Sequence, residues 1–193
     1  NKGNCMSVIL VPVYIAGPDV FYPNAEKNAV KIREVCEKYG VHALIPLDNE
    51  VQEASPSVMS KTIFEKNVNL MEASRMTIAN LTPFRGPSAD AGTVWEVGYT
   101  YARNKPVFAH TDELCDYKDR VMVKDGNAIE DFGNVDNLMI DNSVVEIKGN
   151  LETVLSSKLF QHYLDVIRQQ MVQENKIEAP VVKKVSDSFK LKP

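Results

Sequence analysis

Histidine, cysteine and tryptophan are scarce in this chain of 193 residues: three, three and one. Cys5, Cys36 and Cys115 are odd in number, far apart and never in a Cys-x-x-Cys pair. That argues against a disulfide scaffold and a zinc finger, and it suits a reducing, cytoplasmic compartment. His42, His110 and His162 fall in separate stretches without His-x-x-x-His spacing, so each reads as structural or surface rather than as a metal ligand. No Gly-x-Gly-x-x-Gly and no Gly-x-x-x-x-Gly-Lys-Ser/Thr occurs, so the common dinucleotide and phosphate cradles are missing. Nor is there a Gly-x-Ser-x-Gly nucleophile elbow. Excess basic charge is also lacking: the net charge is -4 and the isoelectric point about 5.5, which speaks against a nucleic-acid binder. The longest apolar stretch, Ser7 to Gly17, is broken by Pro12. It is too short to span a bilayer and lacks the cleavage-site flank of a secretory signal. What is present, 44% hydrophobic and 25% charged residues, is the balance of a protein able to bury a full core. With metal and serine chemistry poorly supported and no organic cofactor motif, carboxylate chemistry remains.

Along the chain, apolar stretches of strand character alternate with stretches of helical period. Asn1 to Cys5 carry no pattern and read as a disordered leader. Ser7 to Ala16 is apolar on both faces, as in a buried parallel strand, and Gly17-Pro18-Asp19 ends it. Asn24 to Tyr39 is predicted helical, with Ala25, Ala29, Ile32, Cys36 and Tyr39 on one face and Gly40 as the stop. Val41 to Leu47 is a second strand. Ser55-Pro56 pairs an N-cap with proline at the first helical position and opens a helix to about Ser74, with Met59, Ile63, Phe64, Leu70 and Met71 on one face. Met76 to Leu81 is a third strand, Ala91 to Asn104 a helix, Pro106 to His110 a fourth strand and Ser143 to Ile147 a fifth. Between the last two, Leu114 to Asn142 reads as long loops with short helical pieces. Asn150 caps one long C-terminal helix carrying Leu151, Val154, Leu155, Leu159, Tyr163 and Ile167. Residues 1–175 thus form a single domain, and the lysine-rich residues 176–193 a flexible tail. The alternation predicts a doubly wound α/β fold, flavodoxin-like or Rossmann-like, with a parallel sheet of about five strands and helices on both faces. In such sheets ligands sit beyond the carboxyl ends of the strands.

The stretch after the third strand carries the most chemistry. Asp90 sits at a helix start, and Glu96 lies six residues on, early in the same helix. A carboxylate there feels the positive end of the helix dipole and can stay ionised, available as a nucleophile. Trp95 and small residues flank it. The bland alternative, Asp90 as a mere N-cap and Glu96 as a surface glutamate, weighs evenly on this segment alone. Two further residues shift the balance. Asn67 lies on the apolar face of its helix, where an unpartnered amide costs about 1–3 kcal/mol. Tyr14, late in the first strand, has a hydroxyl that needs a polar partner. The fold would bring Tyr14, Asn67, Asp90 and Glu96 to one sheet edge, a single cleft.

With these motifs in order, the chain resembles the nucleoside 2-deoxyribosyltransferases over about residues 8 to 147. Val13-Tyr14-Ile15-Ala16-Gly17-Pro18 carries a tyrosine where the family keeps its active-site tyrosine. Ile45-Pro46-Leu47-Asp48-Asn49 matches the family's proline-leucine-aspartate-asparagine turn. Asp90-Ala91-Gly92-Thr93 and Glu96-Val97-Gly98-Tyr99 match its aspartate, glycine, glutamate and glycine pattern with the same gap. Asn137-Leu138-Met139 resembles the segment donated across a subunit interface to complete the neighbouring site. The resemblance implies that Glu96 attacks the anomeric carbon of a 2′-deoxynucleoside and that a second free base then attacks the resulting ester, a double displacement with net retention. It implies that Asp90 and the neighbour's Asn137 hold sugar hydroxyls and that Tyr14 orients Glu96. It places Gly17, Phe21, Asp48, Asn49, Glu50, Asn67 and Met139 around the substrate. It also implies a homodimer or higher assembly, a role in nucleoside salvage, and no metal or organic cofactor. Two departures stand out. The family often has aspartate at the position of Asn67, assigned to protonating the departing base, whereas an amide is a poor proton donor. Bacterial members carry glutamine where this chain has Glu50, which changes the hydrogen bonds near the base.

Two rival readings share some of these features. A 2′-deoxynucleoside 5′-monophosphate N-glycosidase would use the same carboxylates but needs a phosphate pocket, and Pro18-Asp19-Val20-Phe21 is acidic and apolar there. A non-catalytic nucleotide-sensing module would not need an ionised Glu96 beside a sugar pocket.

Overall fold

The computed structural model describes residues 9–48, 54–121 and 125–174; the expectations for the leader, for Asn49 and Glu50 and for residues 176–193 fall outside them. Five parallel strands form one sheet in the order β2-β1-β3-β4-β5. They are β1 (Val11–Ala16), β2 (Val41–Leu44), β3 (Met76–Asn80), β4 (Val107–His110) and β5 (Glu146–Lys148). This is the flavodoxin-like form of the doubly wound fold. Its strand order reverses between β1 and β3, which makes the carboxyl ends of those two strands the place where a crevice opens.

The pleat divides the core into two layers. Val11, Val13 and Ile15 of β1, with Met76, Ile78 and Phe108, pack against α1 (Ala25–Lys38), α6 (Leu151–Leu155) and α7 (Lys158–Gln173). The alternate residues Tyr14 and Ala16, with Ala79, Val107 and Ala109, pack against α2 (Pro56–Ala73) and α3 (Ala91–Ala102). Alternation of side chains along a strand produces this division, and it puts Tyr14 on the α3 side. Ala16, Ala79 and Ala109 leave room on that face for the Tyr14 ring, which is fully buried.

Several boundaries differ from the sequence reading. β1 starts at Val11, and the second strand stops at Leu44 because Pro46–Asp48 turns as a 3-10 helix. β5 is displaced to Glu146–Lys148, with the Val145 amide already donating to Val107 O at 2.8 Å. The single long C-terminal helix is two. Ser156 and Ser157 break it: the Ser157 side chain caps α7 by accepting from the Phe160 amide at 3.1 Å. The break resets the helical phase, so Phe160, Leu164 and Ile167 are buried and Leu159 turns outward. On α2, Ile63 and Phe64 are exposed rather than buried, since only Met71 at the C-terminal end lies fully over the sheet. The loop-rich stretch contains two one-turn helices, α4 (Tyr117–Arg120) and α5 (Leu138–Asp141). No helix among the described residues is long and apolar enough to cross a membrane.

Candidate active site

The buried hydroxyl of Tyr14 donates to Glu96 Oε1 at 2.7 Å. The two residues are 82 positions apart in sequence and come from neighbouring layers. Burial pushes the Tyr14 phenol far above its ordinary range, and the adjacent Glu96 charge pushes it further, so the hydroxyl is a fixed donor. Burial likewise pushes the Glu96 carboxyl up, to about 7; the Tyr14 hydrogen bond opposes that, and the charge of Asp90 adds to it. The expected support of the helix dipole for the ionised form is small at this position. Glu96 lies beyond the first turn of α3, where the dipole has faded, and desolvation wins. The result is a carboxyl poised between its two forms near neutral pH.

Asp90 is the N-cap of α3: its Oδ2 accepts from the Thr93 amide at 3.1 Å and from Thr93 Oγ1 at 3.3 Å. The cap and the candidate site therefore use the same carboxylate, and the two sequence readings of Asp90 are not exclusive. Its charge also reaches Tyr22, whose phenol is raised by burial first and then by Asp19, Asp112 and Asp90. Asp19, Asp90 and Asp112 thus lie around one aromatic hydroxyl at the carboxyl edge of the sheet.

Gly17 ends β1 at a close approach. A Cβ at this position would stand 2.9 Å from the Asn80 Cβ and 2.6 Å from Asp19 Oδ2. Asn80, last in β3, donates from Nδ2 to Asp19 Oδ2 at 3.1 Å and accepts from the Thr82 amide at 3.1 Å. Sequence reasoning missed Asp19 and Asn80; the only available signal was their position just beyond or at a strand end. Phe21 is exposed and stacks on Phe84 with centroids 5.6 Å apart. The Arg85 guanidinium lies 4.7 Å from the Phe84 ring centre and 5.5 Å from that of Phe21, giving the site an aromatic and cationic rim.

Other expected residues fall elsewhere. Asn67 is half-buried on α2, one turn before Met71, which packs in the same layer as Tyr14. Asp48 closes the 3-10 turn after β2. Asn137 is engaged within its own chain: Oδ1 accepts from the Met139 amide at 3.0 Å, and Nδ2 donates to Glu130 Oε1 at 2.6 Å. Met139 beside it is 71% exposed. Trp95, expected to flank the site, packs on the outer surface between Phe64 and Tyr99. Burial pushes the His110 imidazole below its ordinary range, against the opposing charges of Asp19 and Asp112. Among the described residues no group of three or more His, Cys, Asp or Glu side chains could hold a metal ion.

Comparison with known proteins identifies the family and the fold. The sequence pattern of the nucleoside 2-deoxyribosyltransferases matches residues 13–139. A 2-deoxyribosyltransferase from Leishmania mexicana is similar in structure, with a TM-score of 0.67 and 30% identity, covering 79% of this chain and 98% of that one. A 2-deoxyribosyltransferase from Bacillus psychrosaccharolyticus shares the fold at a TM-score of 0.55 and 21% identity, covering 77% of this chain and 93% of that one. An uncharacterized protein of Schizosaccharomyces pombe is 36% identical over 113 residues, 56% of this chain. That match spans 54% of the yeast protein, about half its length.

Proposed function

As the chain belongs to the nucleoside 2-deoxyribosyltransferase family, we propose that it moves the 2-deoxyribosyl group between nucleobases, with Glu96 as the nucleophile. The observation that carries this reading is the Tyr14–Glu96 pair: a half-buried carboxyl at the switch point of the sheet, held by one hydrogen bond from a buried phenol that stays protonated. A carboxylate so oriented presents its second oxygen to a sugar carbon and needs little reorganisation to attack.

In the first half-reaction a Glu96 oxygen bonds to the anomeric carbon as the bond to the base nitrogen breaks, leaving a deoxyribosyl ester and a free base that takes up a proton. In the second, a nitrogen of another base bonds to the same carbon and loses its proton, while the ester C–O bond breaks and restores the carboxylate. Two inversions give net retention. The missing 2′-hydroxyl eases the oxocarbenium-like transition state. Asp90 holds sugar hydroxyls while keeping α3 capped, and the exposed Phe21 lies against the base. Gly17 and Asn67 line the rest of the substrate site in this reading, which also assigns Asp48, Asn49 and Glu50 to the substrate. We infer a role in nucleoside salvage, in the cytoplasm, and self-association in which Asn137 and the exposed Met139 complete a neighbouring site. The exposed Phe64, Trp95 and Tyr101 on α2 and α3 and the free thiols of Cys36 and Cys115 support the assembly and the reducing compartment respectively.

The test is to incubate the protein with a 2′-deoxynucleoside and a different free base and to follow nucleosides by chromatography. New nucleoside is the expected result, and Glu96→Ala should lower its rate by at least about 1,000-fold. Free deoxyribose without exchange would instead indicate a hydrolase, and exchange retained in Glu96→Ala would remove the nucleophile assignment.

A further inference from the structure

A second carboxylate close to the site has no part in the chemistry above. Asp136 is only 1% exposed, yet three donors converge on it. Its Oδ1 accepts from Ser88 Oγ at 2.5 Å and from the Asn137 amide at 2.7 Å; its Oδ2 accepts from the Ala89 amide at 2.9 Å. Burying a carboxylate is costly unless it is well bonded, so this one is retained against a substantial desolvation penalty. Two of its three partners, Ser88 and Ala89, immediately precede Asp90.

The surroundings reinforce the same junction. Arg120 donates from Nε to Pro87 O at 3.0 Å and from Nη2 to Val135 O, joining the same two segments. Asp141 Oδ1 accepts from the Val135 and Asp136 amides at 3.1 and 3.3 Å, which holds Asp136 from behind. The 84–88 loop is closed on itself by the Phe84 amide donating to Ser88 O at 3.1 Å. The segment entering α3 is thus clamped from one side by the chain around residue 136, while α3 itself carries Glu96.

We infer that Asp136 is a positioning residue for substrate binding: by holding the Ser88–Ala89 backbone it sets Asp90 where the sugar hydroxyls will lie. The inference rests on the transferase reading for what Asp90 binds, and on hydrogen bonds alone for how Asp90 is placed. Asp136→Asn separates the two. The amide keeps its size and can leave its oxygen facing Ser88 and Asn137, but its NH2 then confronts the Ala89 N–H, donor against donor. The link to the residue before Asp90 is lost first. Ser88→Ala removes a different arm and leaves the Ala89 bond in place.

The experiment measures kcat and KM for a 2′-deoxynucleoside donor, with amide hydrogen exchange at Thr93, whose N–H is held by the Asp90 carboxylate. Asp136→Asn should raise KM about 10-fold, change kcat by less than about 3-fold, and speed exchange at Thr93. Ser88→Ala should show the same pattern more weakly. Asn150→Ala, which removes the capping box of α6 away from the site, provides a destabilised control and should keep the wild-type KM. A wild-type KM and unaltered Thr93 exchange in Asp136→Asn would overturn the inference, as would an equal KM rise in Asn150→Ala. If the wild-type protein transfers nothing, the functional reading fails by itself, and Thr93 exchange in Asp136→Asn still decides whether Asp136 positions Asp90.

Discussion

The Tyr14–Glu96 hydrogen bond sets the pH behaviour expected of this protein. Attack by Glu96 needs the carboxylate, and burial holds its pKa near 7, so transfer should fall as the pH drops through that value. Tyr14 opposes the burial by bonding the charged form. Tyr14→Phe removes that bond and should move the acid limb of the kcat/KM profile upward by about one unit, with activity at pH 7 lowered about 5-fold. A profile unmoved in Tyr14→Phe would mean that the limb belongs to another group. The sequence already named both residues, Tyr14 from an isolated hydroxyl in an apolar strand and Glu96 from its place after Asp90. It did not show how far burial raises the Glu96 carboxyl, because helix position is visible in a sequence and desolvation is not.

At the scale of elements, the crevice depends on how closely β1 and β3 approach where the sheet order reverses. Gly17 permits that approach, and Gly17→Ala would force its new Cβ against Asn80. The Asn80–Asp19 hydrogen bond should be disrupted, with a stability loss of about 1–3 kcal/mol by denaturant titration and a raised KM. Wild-type stability in this variant would show that the strand ends can part without cost. Strands, helices and their order were readable from hydrophobic period and caps: Asn24, Ser55, Asp90 and Asn150 all stand at helix starts as the sequence suggested. The C-terminal helix was read as one because Leu159 continues the apolar spacing, whereas the Ser157 cap restarts the helix out of phase. The burial of Ile63 and Phe64 was overread for a related reason. A periodic apolar face says that a surface is to be covered, not whether this chain covers it.

On the scale of the whole molecule, a shared site makes a specific demand. If Asn137 serves the neighbour's Glu96, a mixed dimer of Glu96→Ala and Asn137→Ala contains one intact site of two. An equal mixture of these variants, allowed to exchange subunits, should recover about a quarter of the wild-type activity. No recovery in a mixture shown to form mixed assemblies would place Asn137 in its own chain's structure alone, where it already bonds Glu130.

By itself, the sequence determined the fold class, the strand and helix order and the residue types from which the candidate site is built. These follow from short-range period, caps and residue chemistry, all carried by neighbours in the chain. Only the tertiary structure decided which carboxylate is buried, that Asn80 and Asp19 join at the switch point, and that Asp136 reaches back to Ser88 and Ala89. Those are contacts between residues 47 to 82 positions apart. Their energies depend on burial and distance, which exist only once the layers have packed. The scarcity of histidine and cysteine acquires its meaning there as well: in this reading two carboxyls, a half-buried one reacting and a buried one positioning, do the work for which those residues are usually recruited.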